Sequence, residues 1–186
     1  MTSHSTLHTS HSSSTLHTSH SRLPWLLLIS AAVILLDRLT KQWVSTHVEL
    51  GQAITVIPGV FRISHVLNDG AAFSLFADSA SPEHVRWGLV LFSSAAAAAV
   101  LIALCYLGHR LSLLSIALAL VLGGAIGNVY DRIRFASVVD FLEVHIVHYH
   151  WPDFNIADSA IVTGACLLFL DTLVPKKKQQ AEESLP

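Results

Sequence analysis

Four stretches of this chain stay apolar long enough to fill a bilayer, and its polar residues gather between them. A helix needs about 20 apolar residues to cross about 30 Å of hydrocarbon. Residues 24–44, 85–107, 111–130 and 155–174 meet that requirement. The first opens on Pro24, where a missing N–H costs a helix nothing, and the last is stopped by Pro175. Small residues crowd the second and third spans, as close helix packing in lipid prefers. The pattern predicts an all-α membrane protein of four transmembrane helices. Between the first two spans, residues 53–66 alternate weakly and are rich in β-branched side chains. They predict a small extracytoplasmic β-sheet, broken by the turn at Pro58-Gly59. Residues 68–76 predict a turn leading into a short helix on the membrane surface.

Composition sharpens this picture. Of 186 residues, 52% are hydrophobic and 13% charged; a soluble domain carries about 25% charged residues. The net charge of −2 comes with no broad basic face, which argues against a nucleic-acid partner. Cys105 and Cys166 lie inside apolar runs and read as packing residues rather than a disulfide. The octet STLHTSHS occurs at residues 5–12 and again at 14–21. Residues 1–22 are therefore expected to be a disordered Ser/Thr/His tail rather than a signal peptide, since no small-residue cleavage site follows the apolar run. The functional domain is expected at 23–175, followed by a basic tail at 176–186.

Charge placement then sets an orientation. Arg22, Arg110 and Lys176 to Lys178 flank the spans on one side, which the positive-inside rule makes cytoplasmic, with both termini there. Arg62, Arg86, Arg132 and Arg134 fall on the other side, so the bias is imperfect. That topology carries every unusual polar residue to the extracytoplasmic face: Asp37 and Lys41 on span one, Asn68 in the outer loop, and Asn128, Asp131 and Arg132 at the end of span three. Asp140 follows in the outer loop, and Asn155 and Asp158 open span four. Ionisable groups at membrane depth are costly, and a functional role is their default reading. Glu49, Asp78, Glu83 and Asp171 read as ordinary boundary residues.

Asp140 and Asp158 can face each other where the chain leaves span three and enters span four. Two carboxyl groups in a low-dielectric site share one proton. The ionised member can activate water while the protonated member donates to a carbonyl oxygen, as in aspartic peptidases. No Gly-x-Ser-x-Gly or His-Glu-x-x-His motif competes. His145, His148 and His150 read as a polar loop before they read as metal ligands. A proton-coupled carrier is the alternative class. It would place its acids near the bilayer midplane, whereas span three has no charged residue between Leu111 and Tyr130.

The motifs resemble those of lipoprotein signal peptidases (signal peptidase II). Asp37-Arg38-Leu39-Thr40-Lys41 is similar to the D-x-x-T-K element, and Asn68-Asp69-Gly70-Ala71-Ala72-Phe73-Ser74 to the N-x-G-x-A-F-[SG] loop. Gly123-Gly124-Ala125-Ile126-Gly127-Asn128, Asp131-Arg132 and Val138-Val139-Asp140-Phe141 resemble the G-G-x-x-G-N-x-x-D-R…V-x-D-F block, and Phe154-Asn155-Ile156-Ala157-Asp158 the F-N-x-A-D element. The resemblance implies a metal-free, cofactor-free aspartic endopeptidase of the bacterial inner membrane. It would remove signal peptides from diacylglyceryl-modified prolipoproteins just before the lipidated cysteine. Asp140 and Asp158 map onto its catalytic pair. Asp37, Lys41, Asn68, Gly70, Gly124, Asn128, Asp131, Arg132, Asn155 and Ala157 map onto supporting or substrate-binding positions. Membrane lipids and the inhibitor globomycin are the further partners implied, and a monomer is expected. Arg132 is the ready cation to keep its neighbour Asp131 ionised, and Gly123, Gly124 and Gly127 would thin span three for close approach.

Overall fold

The computed structural model describes residues 22–70, 81–147 and 149–173. Four helices long and apolar enough to cross a membrane are present among them: α1 (Leu23–His47), α2 (Pro82–Leu107), α3 (Leu113–Phe135) and α4 (Ile156–Leu173). Their outward faces carry large apolar side chains such as Leu28, Leu35, Phe92, Ile102, Val162 and Phe169, as lipid contact requires. α3 is the central helix. Over half of its most apolar stretch (56%) is buried, against 17–22% in the other three.

Close approach to α3 is bought with missing side chains and backbone-directed hydroxyls. A Cβ on Gly123 would stand 2.8 Å from the Ser30 carbonyl oxygen of α1, and Ser30 Oγ donates to the Ala119 carbonyl at 2.7 Å. A Cβ on Gly164 of α4 would meet Val121 Cγ2 at 2.6 Å. Leu26, Leu104, Leu118 and Leu122 close the end of the bundle away from the sheet with an entirely apolar cluster.

The other end carries a four-stranded antiparallel sheet, ordered β1 (Ala53–Ile57), β2 (Phe61–Asn68), β3 (Val138–Ile146) and β4 (Tyr149–His150). The β1–β2 hairpin turns through Pro58-Gly59, with Gly59 at φ +74°, as the sequence predicts. The segment after span three is the departure. Residues 138–146 were expected as loop and form the third strand, pairing Val66 with Asp140 and Asn68 with Val138. The pattern of β3 is hard to read because buried Asp140 and Glu143 interrupt its apolar run. Val44 of α1 and Val48 just beyond its end pack on Phe141, anchoring the sheet to the bundle.

Helix ends also differ from the apolar windows. α1 runs on to His47 and α3 to Phe135, because hydropathy marks hydrocarbon thickness and not where a helix stops. Arg132 and Arg134 occupy the last turn of α3, where cations complement the helix dipole. Cys105 and Cys166 are free thiols, but they lie exposed on α2 and α4 rather than in the helix packing. The tails at 1–21 and 174–186, the surface helix expected within 71–76, Asp78 and His148 lie outside the described residues.

Candidate active site

The polar residues of four separate segments meet where the sheet sits on the bundle. Asp37 and Lys41 are four apart on α1 and so share a helix face. Lys41 Nζ donates to Asp37 Oδ2 and to Asp131 Oδ2, each at 2.7 Å, and to Asn128 Oδ1 at 3.2 Å. Arg38 Nη1 completes the cluster on Asp131 Oδ1 at 2.5 Å, its guanidinium lying over the Tyr130 and Phe135 rings. Asp131 is thus held by α1: Arg132, expected as the cation that keeps it ionised, makes no hydrogen bond or ion pair with it among the described residues, and the two act on each other only through their charges. Consecutive residues on a helix point about 100° apart, so Arg132 is turned away from its neighbour. Arg132 Nη1 donates instead to the Asn128 carbonyl at 3.4 Å, and its buried Nε has no hydrogen-bond partner among the described residues. Arg38 stands inside the D-x-x-T-K element, yet sequence reasoning did not single it out. The available signal was a third charge one turn from Lys41 on an apolar helix.

The second oxygen of Asp37 has a different task. Oδ1 accepts from the backbone N–H of Ala157 at 2.9 Å, one of the N–H groups that the start of α4 leaves without a helical partner. One carboxylate on α1 therefore seats α4. The seat needs bare backbone opposite it. A Cβ on Gly127 would come within 3.1 Å of Asp37 Oδ2, and one on Gly124 would strike the Ala157 carbonyl and stand 2.8 Å from Ile161 Cγ1. Ala157 itself is fully buried.

Asn155 immediately precedes α4 and forms a reciprocal cap with Asp158. Asn155 Oδ1 accepts from the Asp158 N–H at 3.0 Å, and Asp158 Oδ2 accepts from the Asn155 N–H at 3.3 Å. The free end of the same carboxamide, Nδ2, donates to Asp140 Oδ1 at 2.7 Å. Asn68 Nδ2 holds the other oxygen of Asp140 at 2.9 Å, while its Oδ1 accepts from the Gly70 N–H at 2.9 Å. Gly70 sits at φ +86°, a backbone conformation that favours glycine, and a Cβ there would stand 2.5 Å from Leu89 Cδ1 of α2 and push it aside. Asn128 Nδ2 donates to Asp158 Oδ1 at 2.7 Å. Every oxygen of Asp140 and Asp158 thus has a donor, and Asn155 serves both residues.

The two environments differ. Asp140 is 3% exposed and Asp158 is half-buried. Burial pushes the Asp140 carboxyl up to about 6. The hydrogen bond from Asn68 opposes this, the charge of Asp158 adds to it, and the Asn155 bond and the Lys41 ammonium oppose it in smaller measure. A cavity of about 470 Å³ opens over Asp140, lined also by Val66, Leu67, Asn68, Asp69, His150, Pro152 and Asp153. Such an arrangement can share one proton between two carboxyl groups, with Asp140 facing a space large enough for a peptide segment.

Comparison with known proteins agrees with this geometry. The family described as Signal peptidase (SPase) II matches residues 29–174. The lipoprotein signal peptidase of Solibacter usitatus (strain Ellin6076) is 44% identical over 153 residues, covering 81% of this chain and 91% of its own. That of Syntrophus aciditrophicus (strain SB) is 45% identical over 157 residues, covering 83% and 95%. A bacterial membrane enzyme solved by the in meso method at 1.9 Å shares the fold with a TM-score of 0.68 and 29% identity, over 84% of this chain and 99% of that one. The match runs from the first membrane helix to the fourth and takes in all the segments that build the polar cluster, so the chain belongs to the signal peptidase II family, membrane peptidases that act on lipoprotein signal peptides.

Proposed function

We infer that this multi-pass membrane protein is an aspartic endopeptidase that cleaves diacylglyceryl-modified bacterial prolipoproteins just before the lipidated cysteine, with Asp140 and Asp158 as its catalytic pair. The observation that carries this reading is Asn155, whose side chain holds Asp140 while its backbone and carboxamide oxygen hold Asp158. In this mechanism Asp158, the more accessible carboxylate at the start of α4, takes a proton from water. Asp140, whose carboxyl burial raises to about 6, donates a proton from its protonated form to the scissile carbonyl oxygen as the water oxygen attacks its carbon. The proton on Asp158 then passes to the departing amine as the C–N bond breaks, and a hydroxyl proton of the intermediate returns to Asp140. Arg132, on which the charges of Asp158 and Asp140 act, supports the pair electrostatically. Asn128, Asn155, Asn68 and Gly70 position carboxylates and substrate backbone. Asp37, Lys41, Asp131, Gly124 and Ala157 hold α4 in place.

The same reading puts the pair at the extracytoplasmic face, with residues 23–175 as the peptidase unit and both tails in the cytoplasm. Membrane lipids surround a monomer, and globomycin is expected to inhibit by occupying the cavity. The direct test is a synthetic precursor peptide, with and without the diacylglyceryl group, incubated with purified protein in micelles. A product beginning at the lipidated cysteine, absent from the unlipidated reaction, is expected. Equal turnover of both peptides, or cleavage elsewhere, defeats the assignment.

The raised Asp140 value gives a pH expectation. Its proton is present below about 6 and lost as pH rises through that value. As the proton donor fails, kcat/KM should fall on the alkaline side. The Asn68 hydrogen bond favours the ionised form, so Asn68→Ala should move that limb to higher pH. A limb that stays put or moves down would remove Asp140 from the donor role.

A further inference from the structure

The outer sheet carries a second convergent group of side chains. Glu143 and His145 are two apart on β3 and so project from the same face of the strand. The β3–β4 hairpin pairs His145 with His150, placing the second imidazole directly opposite the first, with the rings stacked 5.0 Å apart. His145 Nε2 lies 2.7 Å from Glu143 Oε1, and His150 Nε2 lies 3.7 Å from the same oxygen. Three donor atoms thus fall within 4.8 Å of one another. Around a tetrahedral zinc ion, donors at bond lengths of about 2.0–2.2 Å lie about 3.3 Å apart. Small side-chain rotations supply the difference.

A fourth donor group, a second carboxylate, is within reach. Asp153 Oδ1 lies 3.1 Å from His150 Nε2, and its other oxygen accepts from Ser64 Oγ at 3.1 Å, which orients it as outer-shell partners of metal ligands are oriented. Arg62 is the opposing group, with Nη1 3.3 Å from Glu143 Oε1. Its side chain is 41% exposed and can swing into solvent.

We propose that Glu143, His145 and His150, with Asp153 beside them, form a zinc site in the wall of the active-site cavity. The ion takes no part in hydrolysis. It joins β3 to the segment leading into α4, since Phe154 bridges Leu142 and His150 and Asp153 line the same cavity as Asp140. The proposal stands apart from the assignment of the aspartates, because its readout is metal binding.

The test titrates full-length, metal-free protein in micelles with Co²⁺ and then with Zn²⁺. The histidines of residues 1–21 also offer ligands, so a full-length variant with its tail histidines changed to serine is measured in parallel. In both backgrounds, visible bands of four-coordinate Co²⁺ should form and be displaced by one equivalent of Zn²⁺. His145→Ala and His150→Ala should abolish those bands and weaken Zn²⁺ binding by about 100-fold, the upper end of what loss of even an outer-shell partner costs. Arg62→Ala should tighten binding, and EDTA should leave turnover unchanged. Thermal unfolding in EDTA checks the fold of each variant, with His145→Gln as the conservative substitute. Bands that persist without either histidine, or that vanish with the tail histidines alone, would overturn the site.

Discussion

Asp140→Asn and Asp158→Asn are each expected to lower the rate of signal-peptide cleavage by about 10⁴-fold while the protein stays inserted and folded. An amide cannot take a proton from water, nor hold one to give to a carbonyl oxygen. The structural cost is small by comparison. At Asp140, Asn68 and Asn155 each donate to one oxygen, so an amide there keeps one bond and turns an N–H toward the other donor. At Asp158 the same applies to Asn128 and the Asn155 N–H. One broken bond costs about 1–3 kcal/mol. The double variant should be about as slow as either single one, because the two groups work as a unit. The measurements are single-turnover cleavage of a lipidated peptide and thermal unfolding of the same preparations. Turnover within tenfold of wild type in either variant would exclude the pair.

Lys41→Met is expected to lower the free energy of unfolding by about 3–5 kcal/mol, the range for breaking a buried ion pair from one side. Lys41 and Asp37 are 1% and 0% exposed, and Asp131 is equally enclosed. Without the ammonium, two carboxylates face one hole, and Arg38 reaches only one of them. Asn128 also loses its donor and with it part of its hold on Asp158. Adding Asp37→Asn should recover part of the loss. It removes the excess negative charge, and its side-chain oxygen can still accept from the Ala157 N–H. Denaturant unfolding in micelles reports the difference. A change under 1 kcal/mol would show that the charges do not hold these helices together.

Much of this site is legible in the sequence because charge is conspicuous in lipid. Asp37, Lys41, Asp131 and Asp158 stand out against apolar runs, and the topology alone carries them to one face. The β1–β2 hairpin is legible from its Pro-Gly turn and β-branched flanks. The pairings are not. Asp131 has a cation next to it in sequence and takes two others from α1, because helix geometry turns neighbours apart and brings distant residues together. The strand holding Asp140 escapes for a related reason. Its two buried acids spoil the apolar alternation, and pairing with β2 makes it a strand. The double duty of Asn155 rests on a three-dimensional contact that no spacing encodes.

One consequence lies in how α4 begins. The turn that starts the helix also sets the gap between the Asp140 and Asp158 carboxyl groups, since the Asn155 carboxamide spans from the Asp158 N–H to Asp140. Sliding α4 along its own axis therefore converts directly into a change of that gap. Crowding far down the helix, where Gly164 rests on Val121, would be transmitted to the chemistry like a displaced rod to the tool at its tip.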